Sequence, residues 1–182
     1  MHFEYSFEIA LPRDVVYKTL RDDLVHLTNY LPNIKSIKLI KKELTDDGIK
    51  VLNKWQGNNL AQLLEGKIAH IADMAWLDRA EWHDKEHTCN WSYTPFILEE
   101  YINAHGIYIF LSYGKHTIIK ISGDLKIDIA SYPLVSSELK GTINDELFQN
   151  FFRLIKINFE TIVNGLEDYI KENDSTYKQT KC

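Results

Sequence analysis

The C-terminal part of the chain contains the feature that most constrains the fold, a long helical pattern that is apolar on several sides. The pattern runs from Glu138 or Thr142 to Lys171. A surface helix needs only one narrow apolar stripe. A helix whose apolar surface is this wide must therefore be covered on more than one side. Its apolar positions, spaced by three or four, are Leu147, Phe151, Leu154, Ile155, Ile162, Leu166 and Tyr169, broadened by Phe148, Phe152, Phe159 and Ile170.

The residues before this helix predict the surface that covers it. Residues 2–10 alternate strictly between apolar and polar side chains, which is typical of a half-buried strand. Two short helices follow, one beginning at Pro12 and one that Pro32 ends. Five or six further strands are then expected, mostly joined by tight turns: 34–44, 49–56, 76–82, 89–95, 101–113 and 117–130.

Strands joined by tight turns pair antiparallel, and their apolar faces need one common cover. The sequence therefore predicts an α+β fold in which a curved antiparallel sheet of six to seven strands wraps around the long C-terminal helix. Residues 1–172 are expected to form a single domain, and residues 173–182 a flexible polar tail. Residues 58–74 fit a short helix, or a helix followed by a strand.

This order of elements resembles the START-like, or Bet v 1-like, superfamily of polyketide cyclases and lipid-transport proteins, which has the helix-grip fold. The resemblance extends from Phe3 to about Tyr169. It implies an internal cavity, but the superfamily includes carriers, hormone receptors, cyclases and chaperone activators, and no shared catalytic set can be transferred. The segments that carry it are Pro12 to Tyr17, Leu31-Pro32, Ile119 to Leu125 with Gly123, and Asn164-Gly165-Leu166.

Large rings on the inward face of the predicted sheet either line such a cavity or fill the core. The residues alone do not separate the two interpretations, because rings also pack well against one another. The resemblance favours a pocket for a lipid-like or aromatic molecule. The predicted ligand-binding residues are Phe7, Asn53, Trp55, Trp76, Trp82, Trp91 and Tyr93 from the sheet, with Phe151, Ile155 and Ile162 from the helix.

Asp78 lies between Trp76 and Trp82, and strand alternation points its side chain inward. A buried carboxyl group without a partner would have a raised pKa and could act as an acid or a base. His105 is a candidate for a proton relay with Asp78. The alternative is that the strand begins later or bulges, which leaves Asp78 in water or paired with Arg or Lys.

Composition excludes other classes of function. A net charge of −5 argues against a nucleic-acid-binding protein. Only Cys89 and Cys182 are present, so no disulfide framework is expected and the cytoplasm is the expected compartment. No apolar run is long enough to insert stably in a membrane. His83, His87 and Cys89 have metal-binding side chains, but their spacing matches no strong site, so neither a metal nor a cofactor is predicted.

The leading hypothesis is a protein that binds or carries a small hydrophobic molecule. The alternative is an enzyme of the cyclase or hydrolase kind that acts on an apolar substrate in the same cavity. It would use Asp78, with His105, Tyr93 or Tyr108 as further candidates. A third possibility is a protein-partner module, which would present an exposed apolar patch. The oligomeric state is left open.

Overall fold

The computed structural model describes residues 1–57, 75–96, 99–128 and 140–173. Within them, seven strands form one antiparallel sheet in the order β1-β7-β6-β5-β4-β3-β2. The ambiguous segment 58–74, the expected end of the last strand at 129–130 and the tail 174–182 lie outside the described residues. The strands are β1 (His2–Ile9), β2 (Ile34–Thr45), β3 (Gly48–Gly57), β4 (Ala75–His83), β5 (Thr88–Pro95), β6 (Ile102–Tyr113) and β7 (His116–Ile127).

Three helices accompany the sheet in the described residues: α1 (Arg13–Asp22), a 3₁₀ helix (Leu24–Tyr30) and α2 (Lys140–Asn173). Pro12 starts α1, because its fixed φ of −60° suits a first turn and its carbonyl accepts the N–H of Val16 at 3.1 Å. The predicted helix-grip α+β fold is confirmed. None of the described helices is both long and apolar enough to cross a bilayer.

The core lies between the inner face of the sheet and one side of α2. The alternation of β7 places Ile119, Ile121 and Leu125 inward, where each is almost fully buried. On α2, Phe159, Val163, Leu166 and Ile170 recur every three or four residues and are also buried. This side of the helix contacts β1, α1 and the 3₁₀ helix.

Two glycines paired across the sheet fix the position of one large ring. Gly106 of β6 and Gly123 of β7 are register partners. A Cβ atom at Gly106 would lie 2.7 Å from Cζ2 of Trp91, and one at Gly123 would lie 2.9 Å from the same atom. Because both positions lack a side chain, the Trp91 indole can lie directly against the sheet.

Only the beginning of β2 covers the core. Ile34 and Ile37 are buried, but every residue from position 38 to 45 is exposed. The exposed residues include the large apolar side chains of Leu39, Ile40 and Leu44. β2 is an edge strand, and its pairing with β3 is shifted at two places.

Candidate functional site

A cavity of about 140 Å³ lies between the sheet and α2. The sheet supplies most of its aromatic wall, and α2 supplies the opposite wall with Ile155, Asn158, Thr161 and Ile162. Residues from the end of the 3₁₀ helix to the start of β2, including Asn33, complete the described lining. Among the described residues, the aromatic side chains that line it are Trp55, Trp76, Trp91, Tyr93, Tyr108 and Phe159.

The rings of this wall support one another across strands. Trp55 and Trp76 are register partners, and their rings are stacked with centroids 5.7 Å apart. Phe159 of α2 meets Trp91 at 5.9 Å and Tyr108 at 5.8 Å, both with edge contacts. Such pairs stabilise beyond their buried area, by about 0.5–1.5 kcal/mol each. The described rings of the wall therefore include two groups in mutual contact, Trp55 with Trp76 and Phe159 with Trp91 and Tyr108.

Asp78 is placed in this cavity by a regular row of cross-strand pairs. Its register partners are Asn53 on β3 and Tyr93 on β5, and neither ladder contains a shift. The alternative in which β4 bulges at Asp78 is therefore wrong. Asp78 lines the cavity and is half-buried.

The carboxylate of Asp78 accepts two hydrogen bonds on the same oxygen. Asn53 Nδ2 and Trp55 Nε1 each donate to Oδ2, both at 3.3 Å. Among the described residues no cationic side chain forms an ion pair with Asp78, and none donates a hydrogen bond to Oδ1. The second carboxylate oxygen can therefore interact with whatever occupies the cavity.

Burial raises the pKa of Asp78 from 3.8 to about 6, and the two N–H donors oppose that rise. At pH 7.5 the group is mostly a carboxylate. Burial also raises the pKa of Tyr93 and Tyr108, and for Tyr108 the charge of Asp78 adds to the effect. Both tyrosines are therefore neutral hydroxyl groups at physiological pH, able to donate or accept a hydrogen bond.

Part of the predicted set lies together at the cavity. Whether these residues bind a ligand stays a prediction. The side chain of Phe151 lies outside the described residues. The predicted residues that line the cavity are Trp55, Trp76, Asp78, Trp91, Tyr93, Tyr108, Ile155 and Ile162.

Four candidates lie elsewhere. Phe7 is half-buried on β1 beside Tyr5, and Asn53 is buried behind Asp78, to which it donates. Trp82 packs at the other end of β4 against Tyr17, with ring centroids 5.4 Å apart. His105 is exposed on the outer face of the sheet, opposite to Asp78, so the proton relay is not formed.

Polar residues of α2 that line the cavity are absent from the predicted set. Asn158 lies three residues after Ile155 and four before Ile162, so helical spacing already places it on their face. Thr161 donates its hydroxyl to the Ile157 carbonyl oxygen at 2.7 Å. Asn158 is thus the side-chain amide on the helix wall that can orient a ligand.

The turn between β4 and β5 does not assemble the three zinc-competent residues. His87 lies 3.2 Å from Asp14, and Cys89 is fully buried. His83 instead groups with Asp47 and Glu86, whose ligand atoms all lie within 4.8 Å of one another. The ammonium group of Lys85 lies 3.8 Å from Asp47 and would compete with a cation for the same carboxylate.

Comparison with known proteins supports the fold. No protein-family model matches the chain, and no curated protein matches its sequence. The Zhui aromatase/cyclase from Streptomyces sp. R1128 superposes with a TM-score of 0.69 at 12% identity, over 96% of this chain and 97% of its own.

Two further solved structures agree over similar lengths. Ara h 8.0201 has a TM-score of 0.64 at 18% identity, over 95% of this chain and 99% of its own. A START superfamily protein from Mycobacterium smegmatis has a TM-score of 0.60 at 10% identity, over 94% and 97%. The chain therefore has a START/Bet v 1-like helix-grip fold.

Replacing Asp78 by Asn is expected to stabilise the protein at pH 7.5. A raised pKa means that the folded state holds the proton more tightly than the unfolded chain, so ionisation of Asp78 lowers stability as pH rises from about 4 to above 6. In the variant, the amide oxygen still accepts a hydrogen bond from Asn53 or Trp55, and the free-energy cost of ionisation is absent. The expected gain is at most about 3 kcal/mol.

Urea unfolding of both proteins at pH 4.0 and pH 7.5 measures this difference. Comparing the two proteins cancels the titration of all other groups. The gain should be present at pH 7.5 and nearly absent at pH 4.0. An equal difference at both pH values would contradict the assignment of Asp78 as a group that ionises in a largely desolvated site.

Proposed function

We propose that this protein binds a small hydrophobic molecule, lipid-like or aromatic, in the cavity between the sheet and α2. The observation that supports this most directly is the void itself. Unfilled volume costs about 24 cal/mol per Å³, so a cavity of about 140 Å³ represents roughly 3 kcal/mol of lost packing. A core selected only for stability would fill it.

The size of the described cavity favours a compact ligand. An apolar cavity of about 150 Å³ in another protein stays dry and binds benzene. The present cavity, at about 140 Å³, has room for one six-membered ring. Polar groups of the described lining, among them those of Asp78, Tyr93, Tyr108 and Asn158, would fix the orientation of that ring.

Filling the cavity is expected to weaken ligand binding without loss of stability. Ala104 lines it from β6 and is nearly fully buried. In Ala104→Leu the added carbons occupy the void. The affinity for toluene, measured by isothermal titration calorimetry, should therefore fall by about tenfold or more. The free energy of unfolding should stay equal or rise.

Ala80→Leu is the matched control. Ala80 lies on the inner face of β4, is similarly buried and does not line the cavity. There the larger side chain is expected to destabilise the fold by about 1–3 kcal/mol and to leave toluene binding in the folded protein nearly unchanged. The proposal would be contradicted if Ala104→Leu lost much of its stability and the unaltered protein did not bind toluene.

A second candidate function is catalysis of proton transfer on an apolar carbonyl compound in the same cavity. The observation that favours it is a carboxyl group with a pKa of about 6 in a site that also contains the hydroxyl groups of Tyr93 and Tyr108. The Asp78 carboxylate would remove a proton from the carbon beside the carbonyl group, and a tyrosine hydroxyl would donate to the oxygen that becomes the enolate.

Acetophenone in D₂O tests this candidate. Its methyl protons should exchange for deuterium faster with the protein than in buffer, as followed by ¹H NMR, and Asp78→Asn should remove the acceleration. His105→Gln is the control and should exchange like the unaltered protein, since His105 lies on the outer face. Equal rates with and without protein would exclude this proton transfer.

The protein-partner alternative has less support than these two. Leu39, Ile40 and Leu44 are exposed on β2. They lie on an edge strand that also carries Lys38, Lys41 and Lys42, where charge guards against pairing with another sheet. The cytoplasm stays the expected compartment.

A further inference from the structure

Asp78 gives the cavity a single negative charge that no described residue balances. No lysine, arginine or histidine lines the cavity among the residues that the structure describes. A charge buried without a counter-charge is costly, and a cation that binds beside it removes part of that cost. We propose that the ligand is a cationic amine with a compact aromatic or apolar group, its ammonium against Asp78 Oδ1; this rests on the cavity being a binding site.

The hydrogen bonds to Asp78 support the carboxylate form. Asn53 and Trp55 both donate, and both bonds end on Oδ2. Donors of this kind stabilise a carboxylate and do not stabilise a protonated carboxyl group on that oxygen. Oδ1 keeps its acceptor capacity, and an ammonium group is the donor that would form the strongest bond to it.

The rings around Asp78 add a second attraction for a cation. Trp55 and Trp76 are stacked nearly parallel on the strands that flank and carry Asp78, and Tyr93 lies opposite it on β5. The faces of such rings carry partial negative charge and attract ammonium groups, by up to about 2 kcal/mol where water is excluded. One carboxylate within a set of aromatic rings is therefore a site for an amine.

The same charge acts against anionic ligands. A carboxylate ligand, such as a free fatty acid, would bring a second negative charge into the cavity without a described cation to neutralise it. Repulsion between like charges at short range is a strong means of rejection. Asp78 should therefore make the cavity bind cations most tightly, neutral molecules less tightly and anions most weakly.

Three ligands of one size test this order: benzylamine, benzyl alcohol and benzoate at pH 7.5. Each has one benzene ring and one polar group one or two bonds from it, and the main difference among the three is their charge. Benzylamine should bind at least about tenfold more tightly than benzyl alcohol in calorimetric titrations, and benzoate more weakly than both. Benzyl alcohol or benzoate binding as tightly as benzylamine would overturn the proposal.

Two variants test whether Asp78 causes the preference for benzylamine. In Asp78→Asn, benzylamine affinity should fall to within about threefold of the benzyl alcohol affinity measured on the same variant. Glu81→Gln removes one negative charge from the outer face of the same strand, where Glu81 pairs with Lys50 at 2.9 Å, and should keep the full preference for benzylamine. Equal loss in both variants would mean that net charge causes the preference, which would overturn the proposal.

The two proposals fail in different ways. If none of the three ligands binds, and toluene does not bind either, the cavity is not a binding site and the proposed function fails with the inference. If benzyl alcohol or toluene binds and benzylamine shows no preference, the binding function stands and only the amine assignment fails. The comparison on the unaltered protein decides this even if a variant does not fold.

Discussion

Large rings on the inner face of the sheet determine how closely α2 can approach it. Phe159 is one point of contact, and it both belongs to the buried core and lines the cavity. It meets Trp91 and Tyr108 from the sheet, and Trp91 is itself held flat by the glycine pair beneath it. Where these rings meet the helix the interior is packed, and beside them the space around Asp78 stays open.

Two departures from ordinary core design therefore occur in one place. The interior contains a void, and a carboxyl group without a described counter-charge lines it. Either feature alone lowers stability, and proteins usually accept such costs where they serve function. Because the void and the carboxyl group lie beside the same rings, we identify this region as the site. The volume of the void limits the size of the ligand, and Asp78 determines its charge.

Alternation and helical spacing predict the fold and most of the cavity wall. They place Trp55, Trp76 and Asp78 inward, and the observed ladders agree. They do not show where along a strand the core ends and the cavity begins. Trp82 shares the inner face with Trp55 but is covered by Tyr17, because α1 packs over that end of the sheet. That depends on tertiary packing, which a strand pattern does not contain.

Other site residues were within reach of the sequence. The spacing of Ile155 and Ile162 already places Asn158 on their face of α2. Alternation along β6 also places His105 on the face opposite to Tyr108, so the relay with Asp78 could be rejected from the pattern alone. The pKa of Asp78 could not be predicted, because it depends on how well the rings exclude water and on two donors from the neighbouring strand.

Xenon binding tests the central claim, an open apolar space between the sheet and α2, most directly. Xenon enters empty apolar cavities and needs no specific polar contact. A crystal of the purified protein under xenon pressure should show a xenon atom bounded by Trp55, Trp91 and Phe159. No xenon there, with side chains from the sheet and α2 in direct contact across that space, would contradict the account.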